Sequence, residues 1–167
     1  MKYTKLPDLV DFVIGFCNVH GFVITPMKLQ KILYYIQSWH ISKFDKHSLF
    51  NELPEAWVNG PVYRSVYNQF KTTFFKSEQI FLKDKNFNEE SLNKIQNRLS
   101  VEDEQLLIIK TITKHYSSFD ESRLVMMTHS DSPWNEARNG LDDLARCEEK
   151  ISIESMFAFY NPRIQQK

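Results

Sequence analysis

Trp57-Val58-Asn59-Gly60-Pro61-Val62-Tyr63 changes character at its middle, and the reading of the fold turns on where. Glu55, Ala56, Trp57 and Val58 read as a short extended piece. Gly60-Pro61 interrupts it, because proline has no N–H for a ladder and pushes the preceding residue out of the helical region. Proline suits the first turn of a helix, where its N–H would lack a partner anyway. Val62, Val66 and Phe70 then fall at i, i+4 and i+8, with Tyr63 and Tyr67 as a second i, i+4 pair. The spacing predicts a strand-like segment that turns at Gly60-Pro61 into a short amphipathic helix running to about Lys71. Taken alone, a large aromatic at such a corner is a core residue.

Upstream, Leu6, Leu9, Val10, Val13, Phe16 and Cys17 make one apolar stripe, predicting a helix over 7–20 that Gly21 ends. Thr25 caps a second helix and Pro26 opens it, with an end near Phe44. Leu29, Leu33, Ile36, His40 and Phe44 form its stripe, and Ile32, Tyr35 and Trp39 widen it. So broad a face predicts a central helix packed on more than one side.

Downstream, 72–88 has little periodicity, although Ile80-Phe81-Leu82 has the look of a short strand able to pair with 55–58. Leu92, Ile95 and Leu99 predict a helix over 89–99. Ser100 with Asp103 resembles a capping box for a helix burying Leu106, Ile109, Ile112 and Tyr116. Ser118 with Glu121 makes another, for a helix to about His129 with Leu124 and Met127 inward. Ser132-Pro133 opens a short helix that Gly140 ends, and 141–150 is charged and fits loop or helix. Ser152 caps a last helix bearing Met156, Phe157 and Tyr160, stopped by Pro162. The fold expected is mainly α: a single compact multi-helix domain over 1–167, with at most a small β element near 55–58 and 80–83. Its core should hold Leu9, Val13, Phe16, Leu29, Leu33, Ile36, Val66, Leu106, Ile109 and Leu124.

Composition narrows the function. A chain of 167 residues, 42% of them hydrophobic, builds one sizeable core. Four glycines are too few for Gly-rich phosphate or dinucleotide loops. Net charge is zero, without the basic excess of a nucleic-acid binder. Residues 1–86 carry 11 Lys and Arg against 7 Asp and Glu, and 87–167 carry 10 against 14. Either the halves attract each other within one fold, or the surface suits a charged protein partner. Two cysteines, Cys17 and Cys147, make neither a disulfide framework nor a metal spacing, so a reduced cytoplasm is the simplest setting. No signal peptide is evident, and no apolar run approaches a membrane span.

Residues for catalysis are not arranged in any familiar spacing. Among His20, His40, His47, His115 and His129 there is no H-x-x-x-H pair. Cys17 sits three residues before His20, but among apolar neighbours rather than in the electropositive setting a reactive thiol needs. The helix pair over 8–42 has a helix-turn-helix outline with Lys28 and Lys31 near the start of its second helix. That helix is too apolar to lie in a DNA groove and has no arginine. The expectation is no enzyme, no cofactor and no metal.

Three separated motifs then fit one family. They are Thr25-Pro26-Met27-Lys28-Leu29-Gln30-Lys31-Ile32-Leu33-Tyr34-Tyr35, then Glu55-Ala56-Trp57-Val58-Asn59-Gly60-Pro61-Val62-Tyr63, then Thr128-His129 followed by Ser132-Pro133-Trp134. In this order they resemble the Panacea domain, also called SocA-like or phage-associated GepA-like, over about residues 6–160. The resemblance implies a mostly helical antitoxin of a bacterial or phage toxin–antitoxin pair, which neutralises its cognate toxin by binding it directly. It also implies, for part of the family, presentation of the toxin to a cellular protease. The alternatives are a helix-turn-helix DNA-binding regulator and a proteolytic adaptor. No catalytic residue carries over. The motif positions map to Leu29, Gln30, Lys31, Leu33, Tyr34, Trp57, Gly60, Pro61, Val62, His129, Pro133 and Trp134, most of them apolar or turn-forming and so structural. The segment 72–99 departs from the pattern, and partner choice is expected to be written there; with the acidic C-terminal half it is the competing location for the contact.

For the contact surface the sequence offers tyrosines. Tyr34 and Tyr35 point about 100° apart on a helix, so they and Tyr63 and Tyr67 do not fit one buried stripe. Tyrosine gives large contact area at little entropic cost. Lys28, Lys31 and Arg64 frame this patch with positive charge. The opposing reading makes each tyrosine a half-buried core residue with a wet hydroxyl.

Overall fold

The structure, a computed structural model, describes residues 1 and 3–164. The chain runs α1 (Leu6–His20), α2 (Pro26–Lys43), β1 (Glu55–Trp57), β2 (Gly60–Val62), α3 (Arg64–Phe70), α4 (Glu89–Gln96), α5 (Asp103–Ser117), α6 (Glu121–Ser130), α7 (Ser132–Arg138) and α8 (Ile153–Ile164). This is a mainly α domain in which helices surround one small antiparallel sheet.

The two N-terminal helices form where the stripes place them. Gly21, at φ 75°, ends α1, and its N–H bonds back to the Cys17 carbonyl. Thr25 caps α2 through the Lys28 N–H, with Pro26 next. α2 is the axis of the molecule: it packs on α1, α3, α5, α6, α8 and β2, and nearly all its residues from Pro26 to Ser42 are buried. The predicted core residues are buried except Leu106, which is half-exposed. α5 is rotated relative to its apolar stripe because Gln105 and Thr113 face inward beside Ile109 and Tyr116. The Gln105 amide meets the Nε2 of buried His40 at 2.9 Å, while His40 Nδ1 bonds to the His47 carbonyl at 2.8 Å. Cys17 is buried beside the Ser117 hydroxyl, and burial pushes its thiol up.

The hairpin corrects the opening prediction. Pro61 does not start a helix. Gly60–Val62 is a second strand, with Glu55 opposite Val62, Ala56 opposite Pro61 and Trp57 opposite Gly60. α3 begins only at Arg64. Proline fits here because, opposite Ala56, its N–H position faces away from β1. Val58 and Asn59 make the turn, and Gly60 at φ 98° closes it. The 80–83 segment does not pair with β1. It runs beside α1, held by Ile80 N–H to the Ile24 carbonyl and by the Asn18 side chain, which bonds the Ile80 carbonyl and the Leu82 N–H.

Three helix ends also differ. The capping box of α5 is Glu102 with Gln105, not Ser100 with Asp103, because Ser100 sits at φ 46° in the preceding turn. Asp120 caps α6, while Ser118 bonds back to the His115 carbonyl. Pro162 lies inside α8, whose described part continues to Ile164. Residues 141–150 form a loop that reaches β1, where Lys150 bridges Glu55.

Gly60 is the tightest point of the hairpin. A Cβ there would meet Thr128 Oγ1 at 2.5 Å and Lys31 Cε at 2.9 Å, besides the positive φ. Gly60→Ala is expected to cost about 2–4 kcal/mol from strain and overpacking together. Urea unfolding measures it, and a loss below about 0.5 kcal/mol, the ordinary surface range, contradicts the packing described.

Candidate functional site

The three motifs converge on the hairpin. Its backbone lies among helices, away from water, and each outward-facing polar group needs a partner. Helix α2 covers the β2 side. The Gln30 amide takes the Tyr63 N–H at 2.7 Å and donates to the Tyr63 carbonyl at 3.1 Å. Lys31 Nζ donates to the Pro61 carbonyl at 3.1 Å. Helix α7 covers the β1 side. Trp134 Nε1 donates to the Trp57 carbonyl at 2.8 Å, and Arg138 Nη1 to the Ala56 carbonyl at 2.9 Å. Arg138 lies over the Trp134 ring, and His129 stacks on that ring at 4.1 Å. The Ala56 N–H reaches the Glu149 carbonyl, and the Ile151 N–H reaches the Pro54 carbonyl. With both edges taken, no strand of a partner can be added to this sheet.

This geometry relocates most of the expected contact patch. Lys28, Lys31, Tyr34, Tyr35 and Tyr63 are all buried, none more than 5% exposed, so they do not face a partner. Lys28 donates to the Ser117 carbonyl. The aromatic rings of Tyr34 and Tyr35 pack with Tyr160, and Tyr35 stacks flat on Tyr116 at 3.9 Å. The hydroxyls of Tyr35 and Tyr160 donate to Asp131, whose carboxyl burial pushes up to about 6. The motif residues Leu29, Gln30, Leu33, Val62, Pro133 and Trp134 are buried as well. Only Arg64 and Tyr67 of the expected patch reach the surface.

They reach it together. A groove of about 360 Å³ lies on the outer side of the hairpin, with Trp57, Tyr67, Phe74 and Phe75 along it and Arg64, Arg146 and Glu148 at its rim. Beneath it is a small apolar cluster separate from the main core: Met27, Val62 and Phe74, with Trp57, Tyr67 and Val125 packed against them. Phe75 is 65% exposed. Arg64 lies 4.8 Å from the centre of the Trp57 ring, and Glu55 holds both: it accepts from Trp57 Nε1 at 2.7 Å and from Arg64 Nη2 at 2.7 Å. Glu55 was legible as a site residue, since residues two apart on a strand share a face. Arg138 was legible too, four residues past Trp134 on a helix. Phe74, Arg146 and Glu148 come from loops without periodicity; they fall in the 72–99 segment and the acidic C-terminal half, the competing location, but no spacing singles them out.

Among the described residues no three His, Cys, Asp or Glu side chains gather where a metal would sit. Burial holds His40 down at about 4 and neutral. Among the described residues no helix is long and apolar enough to cross a membrane.

Lys31 is the costliest brace. Complete burial lowers its ammonium to about 7, with Glu121 opposing the shift. A lysine depressed from its ordinary 10.5 penalises the fold fully below pH 7, and the penalty is relieved as pH rises from 7 toward 10.5. Between pH 7 and 9 wild type should therefore gain about 2 kcal/mol on Lys31→Met, at up to about 1.4 kcal/mol per pH unit. Urea melts of both proteins at the two pH values check this, and a constant difference means that Lys31 keeps an ordinary pKa.

Comparison with known proteins agrees with the convergence of the motifs. No curated protein and no solved structure matches the chain. A family model described as antitoxin SocA-like, Panacea domain, matches residues 29–135, a span from α2 through the hairpin to α7. By that match the chain belongs to the SocA-like, Panacea domain family of antitoxins.

Proposed function

We propose that this chain is the antitoxin of a toxin–antitoxin pair and neutralises a cognate protein toxin, encoded beside it, by binding that toxin directly through the groove on the hairpin. It acts without catalysis: it covers the toxin rather than altering it. The observation that carries the reading is the placement of the groove. The family's motif residues brace one hairpin, and the outer side of that hairpin carries the aromatic groove. Aromatic and arginine side chains are the usual energetic anchors of protein interfaces. Here Trp57 and Arg64 are already locked by Glu55, so little ordering remains to oppose association.

A second groove of about 280 Å³, between Trp39, Leu107, Ile112 and Ile164, has no motif residue in its wall. DNA binding by the α1–α2 pair has no support, since α2 is buried along nearly its whole length and presents no face to a groove.

Co-expression with the product of the adjacent reading frame tests the reading. The neighbour should stop growth alone, and this chain should restore it and co-purify with it. Phe75→Ser should weaken the complex about tenfold or more, as an interface anchor would. Leu107→Ser, at the other groove, should leave it unchanged. A harmless neighbour, or rescue without a complex, rejects direct neutralisation. Loss with Leu107→Ser and not Phe75→Ser places the contact on the wrong face.

A further inference from the structure

We infer that the hairpin groove takes a protein segment presenting a carboxylate beside an apolar side chain, and that Glu148 occupies the place of that carboxylate in the free protein. The inference rests on the antitoxin reading for the partner's identity as a protein toxin, and specifies what that partner must offer.

The rim charges are held in two different ways. Glu55 is mostly buried, and its two oxygens are committed to Arg64 and the Trp57 indole. It fixes the Arg64 guanidinium over the indole as a permanent part of the wall. Glu148 is different. Its side chain is 45% exposed, and it comes from the loop before Lys150 rather than from the braced hairpin. One of its oxygens, Oε1, takes Arg64 Nη2 at 3.0 Å and also the Nε and Nη2 of Arg146. Both guanidiniums lower its carboxyl, Arg146 first. The Arg146 side chain is 85% exposed, and no carboxylate other than Glu148 pairs with it among the described residues. Two guanidiniums at the rim thus share one exposed carboxylate, and while Arg64 is also held by Glu55, Arg146 depends on Glu148 alone among the described residues.

A guanidinium offers five N–H donors in a planar fork suited to carboxylate. Exposed pairs of this kind exchange readily, because their net strength is small. An incoming carboxylate can take over the fork of Arg146 and the outer edge of Arg64 while Glu148 swings into water. The apolar residue next to it then lies on Trp57, Tyr67 and Phe75. A basic segment would meet Arg64 and Arg146 instead, and the like charges disfavour it.

Two peptide probes and three proteins decide it. The probes are acetyl-Gly-Glu-Phe-Glu-Gly-amide and its lysine counterpart, acetyl-Gly-Lys-Phe-Lys-Gly-amide. The readout is the Trp57 indole N–H resonance, followed on titration. The acidic probe should shift that resonance saturably and the basic probe should not. Glu148→Gln should bind the acidic probe about threefold more tightly, the scale of one exposed charge pair. Arg146→Glu should remove saturation. Equal response to both probes, no response to either, or an unchanged or weaker Kd for Glu148→Gln overturns the inference. The same variants are tested against the adjacent-frame product. Binding to wild type that neither variant alters leaves the antitoxin reading standing and rejects this inference. Absence of any binding rejects the antitoxin reading, and the peptide titrations still decide the chemistry of the groove.

Discussion

A two-stranded hairpin buried in a helical protein has backbone groups facing outward on both edges, and everything near this one is arranged to satisfy them. A backbone carbonyl left unpaired away from water costs about 1–3 kcal/mol. The outward Pro61, Tyr63 and Ala56 carbonyls accept from Lys31, Gln30 and Arg138, and Trp134 adds a bond to the Trp57 carbonyl at the turn. Side chains do here what further strands do in a larger sheet. This explains why polar residues occupy the most buried helix, and why the family's three motifs are separated in sequence yet meet in space.

The device appears twice on α2. Gln37 lies seven residues after Gln30, two helical turns on and on the same face. It accepts from the Leu49 N–H and donates to the Phe50 carbonyl, as Gln30 does for Tyr63. Two amides thus fix both the segment entering the hairpin and the one leaving it. The rigidity passes outward. The hairpin carries Glu55 and Trp57, Glu55 orients Arg64, and Arg64 with Trp57 makes the fixed wall of the groove. The opposite wall, Phe75 and the Arg146–Glu148 pair, comes from two loops, the first beside the small cluster around Phe74 and the second held by Arg138 and by the Ala56 N–H to the Glu149 carbonyl. One wall is shared with the family's motifs and the other lies outside them.

Much of this was legible in the residues. Stripe periodicity and the Thr25-Pro26 cap place α1 and α2, and the breadth of the α2 stripe announces its central position. The errors have a common cause. Lysine is almost never fully buried unless paired, so Lys28 and Lys31 read as a charged surface. Their acceptors are the carbonyls of Ser117 and Pro61, 89 and 30 residues away, and no local pattern reports such a match. The tyrosines were misread for the same reason: a helix covered on every side has no outward stripe to reserve for them. Pro61 carried two signals, helix start and edge strand, and only the distant cover from α2 decides between them. The groove's loop residues were marked only as a region, not one by one, because contact across a surface has no period.

Held by side chains of α2 and α7, the hairpin opens only with them, as one cooperative unit. Native-state hydrogen exchange at the Tyr63 and Ala56 amides tests it most directly, since those amides bond to the Gln30 side chain and the Glu149 carbonyl and not across the β1–β2 pair. Groups that open only when the whole molecule unfolds exchange with the global free energy. Both amides should exchange at the same free energy as the central amides of α2, and Gln30→Leu should lower the protection of Tyr63 before that of α2. Exchange of Tyr63 and Ala56 at the rate of an open loop, with α2 still protected, would contradict it.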